Sequence, residues 1–292
     1  MSNFALPQGM VSETSFFIDS AKYKEKYYVY VEGKTDKTFY CKILNNDSVL
    51  CRSVSEATQS DLCFKDPKSN KKSIVNSLLL KKSPPIFGIV DRDNDTKSSG
   101  NGLFYTDTRD LETLLVLSDD KLCEKLGCQV DSQDVKQALF MAYQWGYLKQ
   151  AFELHKNPNE IRKKIILGAE SYFNDEHQIN VPSIREHLKK IGSEHPSNQE
   201  LKKFINADKN INGTHWKGTI ALFEANMDSE VWKYINGHDF LYFLKVINID
   251  ICNKYGQMTY GLEYALINNY NIGCFKKTIL YSSLFEAGLI SI

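Results

Sequence analysis

Three short apolar runs in the first half of the chain each stop on an acid, and that recurrence restricts the folds open to it. "YYVYV" (27–31) runs into Glu32, "IFGIV" (86–90) into Asp91, and "GLFYT" (102–106) into Asp107. Continuous β-branched and aromatic runs of this length are predicted to form strands buried on both faces. The stretches between them read as helices. "KTDKTFYCKIL" (34–44) places Phe39 and Ile43, with Tyr40 and Leu44, on one helical face, and "IVNSLLL" (74–80) is broken by "KKSPP". A further short strand is expected near "SVLCRSV" (48–54), and "DTRDLETLLVL" turns helical after Asp110. Strands alternating with helices predict an α/β fold, a mainly parallel sheet flanked by helices.

Beyond about residue 120 the pattern changes. "SQDVKQALFMAYQWGYLKQAFELH" and "SEVWKYINGHDFLYFLKVINIDIC" carry helix-spaced apolar residues without a convincing strand. The expected organisation is a lead-in over 1–22, an α/β catalytic domain over 23–125 and a mostly α-helical region over 126–292. Helix-spaced aromatics there, including Trp145, Tyr147, Trp216, Trp232, Tyr234, Tyr242 and Phe243, read chiefly as core, with stacking on unpaired bases as the alternative use.

In an open parallel sheet, ligands bind outside the carboxyl ends of the strands. Three strands ending in acids therefore bring Glu32 and Asp36, then Asp91, Asp93 and Asp95, then Asp107, Asp110 and Glu112 toward one edge. Crowded carboxylates repel and take up protons unless a cation joins them. Oxygen-only ligands suit Mg²⁺ or Mn²⁺, and histidines and cysteines at zinc spacing are missing from the sequence. Asp36 and Asp110 each have a second reading as a helix cap, and Asp95, in "DNDTKSSGNG", reads as a solvated turn. Glutamate has little reason to end a buried strand, so Glu32 is the least ordinary of the set.

The motifs "VEGKTDKTFY", "GIVDRDND" and "YTDTRDLET" together resemble a Toprim domain, the fold of topoisomerases, bacterial primases and OLD-type nucleases. More narrowly, they are similar to the Toprim-like nuclease family encoded beside an ABC-type ATPase in phage-defence loci, to which the effectors of PARIS-type systems belong. "INGHDFLYFL" (235–244) also looks like that family. The Toprim resemblance covers roughly residues 27–118. It implies that Glu32, Asp91 and Asp93 carry metal-dependent chemistry, with Asp36 in support. By order along the chain, Asp107, Asp110 or Glu112 would complete a second metal position, Glu112 ahead of Asp107. Two ions ~4 Å apart could clamp the attacking and leaving oxygens of a phosphodiester. Glu32 would be a ligand or a general base; Lys34 would offset transition-state charge or remain a solvated turn lysine. His238 would approach the active site, while a cap role for Asp239 explains part of its motif. The resemblance further implies a toxic antiviral effector, released through the ATPase, that cleaves RNA, with tRNA favoured over DNA. An OLD-type DNA nuclease and a non-catalytic binding subunit are the alternatives.

Lys plus Arg number 36, as do Asp plus Glu. Residues 1–120 hold 16 basic and 17 acidic side chains, and setting aside the eight candidate acids leaves only 9 acidic. A metal-neutralised edge would thus leave a basic surface able to attract phosphates, with Lys65, Lys68, Lys71 and Lys72 in an exposed loop as the expected contacts. Seven scattered cysteines without CxxC read as reduced thiols, and no run is long and apolar enough to cross a membrane. The expected setting is the cytoplasm, and a homodimer is the default assembly.

Overall fold

The computed structural model describes residues 27–45, 47–56, 71–79, 86–93, 99–127, 129–153, 173–175, 177, 234–256 and 259–290. The chain divides into two compact units, residues 1–119 with 267–292, and 120–266.

The first unit is built on strands β1 (Tyr27–Val31), β2 (Val49–Ser53), β3 (Ile86–Val90) and β4 (Leu103–Tyr105). All neighbours pair in parallel, in the order β2-β1-β3-β4. Val29 lies beside Cys51 on one side and Phe87 on the other, and Ile89 beside Phe104. Side chains alternate between the faces of a strand. Tyr28 and Tyr30 therefore share a face with Ile86, Val90, Leu103 and Tyr105, and α2 (Lys71–Leu79) covers it with Val75 and Leu78. The predicted helix begins earlier than its apolar periodicity suggests, because Lys71 and Lys72 form its first turn instead of ending a loop.

Gly88 in β3 permits α2 to approach this closely. A Cβ at that position would strike Val75 Cγ1 and lie 3.1 Å from Leu103 Cδ1. Gly88→Ala is expected to destabilise the protein by about 1–3 kcal/mol through overpacking, read as a lowered midpoint in denaturant titration.

α1 (Lys34–Tyr40) packs on β1 and β2. Its buried Phe39 meets Tyr40, Tyr270 and Phe275 edge-on, at centroid separations of 5.1, 5.6 and 5.4 Å, a favoured geometry for aromatic pairs. The last 26 residues thus belong to this unit, whereas the sequence reading grouped them with the helical region. They comprise the end of α7 (Tyr260–Asn269), the short α8 (Ile272–Phe275) and α9 (Ile279–Glu286), which packs on β4. Polar ties reinforce the grouping. Lys42 Nζ donates to Ile267 O at 3.0 Å, and Asn45 N to Leu289 O at 3.0 Å. Ser118 Oγ and the Tyr270 hydroxyl lie 2.7 Å apart. A returning C-terminal segment leaves no periodicity signal, since its helices look like any others.

The second unit is helical in its described part, as expected. The long α4 (Ser132–Glu153) packs against α5 (Gly237–Ile247), and α6 (Ile249–Tyr255) follows. Eight successive residues of α4, Ala138 to Trp145, are buried, so this stretch of the helix is enclosed on all sides. Trp145 and Phe243 meet at 6.5 Å and Tyr143 and Tyr234 at 5.7 Å, which places Trp145 and Phe243 in the core. Trp216 and Trp232 lie outside the described residues, as does the side chain of Tyr147. Cys41, Cys51, Cys123, Cys252 and Cys274 are not joined in disulfides. Among the described residues no helix is long and apolar enough to cross a membrane.

Candidate active site: an acidic cluster at the switch point of the sheet

The order β2-β1-β3-β4 has one reversal. From β1 the chain moves to one side to form β2, then returns past β1 to form β3. A topological switch point therefore lies between the carboxyl ends of β1 and β3, where open α/β sheets bind their ligands. Glu32 and Asp91 are the residues immediately beyond those two ends, and they are joined directly: Asp91 N–H donates to Glu32 Oε1 at 3.0 Å. Glu32 Oε2 carries no hydrogen bond among the described residues.

Electrostatics records the crowding. Burial pushes the Glu32 carboxyl up to about 6, and the charges of Asp93 and Asp36 add to it against the Asp91 N–H and Lys72. Asp91 is held well above the usual carboxylate range by burial first, then by Asp36, Asp110, Glu112 and Glu32. Each candidate acid from the three strand ends thus acts on Glu32 or Asp91, apart from Asp95, which lies outside the described residues, and Asp107.

The acids are not equivalent. Asp36 Oδ2 accepts from Gly33 N at 2.7 Å, closing the capping box of α1, so its cap reading holds and fixes it one turn into the helix. Asp110 is the buried N-cap of α3 (Leu111–Ser118), its Oδ1 accepting from Thr113 N at 3.1 Å and Thr113 Oγ1 at 2.7 Å. A chain of hydroxyls holds that approach in place: Thr106 Oγ1 donates to Thr108 O at 2.8 Å and Thr108 Oγ1 to Asp110 O at 3.0 Å. Glu112, in the first turn of α3, is buried at 8 % exposure. Its charge is among those that raise Asp91.

Asp107 turns away to another task. Its two oxygens accept from Ile279 N at 2.6 Å and Leu280 N at 2.8 Å, capping the start of α9. Burial raises its pKa, and these two N–H groups oppose the rise. Asp107→Ala is expected to cost about 1–2 kcal/mol by removing a cap, with divalent-cation affinity unchanged, as a melt and a cation titration on the one variant would read.

Asp93 is exposed and sits in the left-handed region at φ 52°, a conformation aspartate tolerates better than most residues. Its N–H donates to Arg109 O at 2.8 Å and its Oδ2 lies 3.6 Å from Lys72 Nζ. Arg92 is held at the end of β4: Nε donates to Thr106 O at 2.8 Å and its N–H to Thr106 Oγ1 at 2.9 Å.

Lys72 departs from its sequence assignment. Expected in an exposed basic loop, it lies in the first turn of α2 with a side chain 14 % exposed. Its ammonium donates to Asp91 O at 2.7 Å and Arg92 O at 3.2 Å, over the Tyr105 ring at 5.0 Å. It clips the end of β3 in place and is the cation that acts on Glu32. Lys71 and Lys34 are exposed, while Lys65 and Lys68 lie outside the described residues.

In the second unit, Asn236 caps α5, its Oδ1 accepting from Asp239 N at 3.3 Å. The expected cap role of Asp239 therefore belongs to Asn236. His238 is 62 % exposed and its Nδ1 lies 2.9 Å from Oε1 of the buried Glu263, whose pKa that imidazole lowers against the burial that raises it. The sequence reading did not single out Glu263, and a lone acid 25 positions downstream gives no signal for it.

Among the described residues, the ligand atoms of Glu32, Asp36 and Asp91 do not converge within 4.8 Å of one another, so a cation would have to draw them together; with Glu112 they offer oxygens alone, and burial holds Glu32 and Asp91 toward their protonated forms. Both properties fit a hard divalent cation, which would relieve the repulsion and draw on oxygen ligands alone. No protein-family model matches the chain, and no curated protein does.

Proposed function

We propose that the chain is a divalent-metal-dependent phosphodiesterase, a Toprim-type endonuclease using Mg²⁺ or Mn²⁺. The observation that carries this reading is the Glu32–Asp91 link at the switch point, with both carboxyls raised and three further acids acting on Asp91. Glu32 and Asp91 would hold the cation, with Glu112 and Asp36 beside them. A bound divalent ion supplies charge stabilisation to a transferring phosphoryl group and lowers the pKa of water.

The chain's own residues set the stage for that chemistry. Asp91 N–H fixes one oxygen of Glu32 and leaves the other toward the edge. A carboxyl near 6 takes a proton readily close to neutrality, the range a general base needs. Lys72 pins the backbone just beyond β3 through the carbonyls of Asp91 and Arg92. The Thr106–Thr108–Asp110–Thr113 network does the same for the third acidic segment.

For the substrate we follow the sequence resemblance: RNA, with tRNA foremost, cut by the toxic effector of an antiviral pair whose partner is an ABC-type ATPase, the effector itself working as a homodimer. The test is incubation of the purified protein with total tRNA and with plasmid DNA, each with Mg²⁺ or with chelator. Mg²⁺-dependent RNA fragments support the reading in full. Fragments from plasmid alone would move the substrate to DNA. No product on either, with metal bound, would leave a binding subunit instead of an enzyme.

A further inference from the structure

One buried hydroxyl has no account in the fold. Tyr40 is 2 % exposed, and its hydroxyl oxygen makes no hydrogen bond to any described residue. A buried hydroxyl left without a partner is unfavourable, so something outside the polypeptide is the economical explanation.

Its position says where that something sits. Tyr40 follows Asp36 by four residues in α1, so both lie on one face of the helix. Long helical side chains lean toward the N-terminus, over the preceding turn. The phenol of Tyr40 is thereby directed to the end of α1 that opens on Glu32 and Asp36. The Phe39 and Tyr40 rings, edge-on at 5.1 Å, buttress each other in the core. Burial first, then the charges of Asp36 and Asp91, raise the phenol well above its ordinary range. The hydroxyl therefore lies within the field of both carboxylates and hydrogen-bonds to neither.

We infer that the Tyr40 hydroxyl is a positioning donor for the ligand of the acidic site, bonding to an oxygen held between it and Asp36 and Asp91. That oxygen belongs to a cation-bound water or to a phosphoryl group of the nucleic-acid strand. The inference rests on the metal-dependent reading above and adds to it a neutral donor that no acid motif encodes.

Tyr40→Phe tests it while keeping the ring. The variant's metal-free melting temperature should equal or exceed that of the wild type, since an unbonded hydroxyl is removed. Mn²⁺ affinity is measured first without nucleic acid, by the loss of free-Mn²⁺ paramagnetic resonance signal. Binding of a labelled single-stranded RNA in Ca²⁺ is measured second. A roughly 10-fold loss of Mn²⁺ affinity, the scale of a lost outer-shell hydrogen bond, assigns the donor to a cation-bound water. Unchanged Mn²⁺ affinity with RNA binding weakened by a similar factor assigns it to a phosphoryl oxygen. Both affinities unchanged in a normally melting variant would overturn the inference and leave the metal reading intact. Absence of Mn²⁺ binding by the wild type itself would overturn that reading, and the inference with it.

Discussion

Glu32→Gln is expected to abolish Mg²⁺-dependent cleavage while making the metal-free protein more stable. The two effects have one cause. Glutamine keeps the carbonyl oxygen that accepts from Asp91 N–H and keeps the volume, but removes the buried charge. Loss of a direct ligand should exceed the 10–100-fold loss typical of an outer-shell partner, so activity should fall at least about 100-fold. Stability moves the other way because the charge is unfavourable there. With the folded carboxyl near 6 and an ordinary value of 4.5, the folded state binds the proton more tightly than the unfolded chain. The sign follows: below pH 4.5 both states are protonated and Glu32 costs nothing; as pH rises through 4.5 to 6 the cost develops; above 6 it is complete. The partly buried group sets that cost at about 1–2 kcal/mol. Wild type and variant should therefore melt alike near pH 4.5 and separate by several degrees at pH 7.5. An ordinary structural glutamate, stabilised by its hydrogen bond, would give the opposite sign.

The second large effect is on the response to metal. A ligand that binds only the folded state, present at 100 times its Kd, stabilises by about 2.7 kcal/mol. Mg²⁺ or Mn²⁺ should thus raise the melting temperature of the wild type at pH 7.5. The rise should shrink as pH falls below 6, where protons compete for Glu32 and Asp91. Asp91→Asn should remove it. A metal-induced rise independent of pH between 5 and 8, or one surviving in Asp91→Asn, would place the cation elsewhere.

The sheet and the clustering were legible in the sequence because both are written locally. Continuous apolar runs marked β1 and β3, and acids at their ends marked the edge. Strand order was not legible, and it is the order that makes Glu32 and Asp91 neighbours across 59 positions. The roles within the cluster were legible only in part. A carboxylate one turn into a helix reads the same whether it caps or ligates, and Asp36, Asp107 and Asp110 each make cap bonds that only backbone geometry reveals. Lys72 misled for a related reason. A lysine in a run of charge and turn residues looks solvated, whereas the close approach of α2, allowed by Gly88, carries its ammonium onto the β3 carbonyls. The return of residues 267–292 to the first unit depends on long-range packing such as Phe39 with Tyr270 and Phe275, for which the sequence carries no local sign.

The central claim is that Glu32 and Asp91 jointly hold a divalent cation at the switch point. Its most direct measurement is a titration of Mn²⁺ at pH 7.5 into wild type, Glu32→Gln and Asp91→Asn, following free Mn²⁺ by paramagnetic resonance. The account expects saturable binding by the wild type and loss of that binding in both variants, although each remains folded. Binding of equal strength in all three proteins would contradict it.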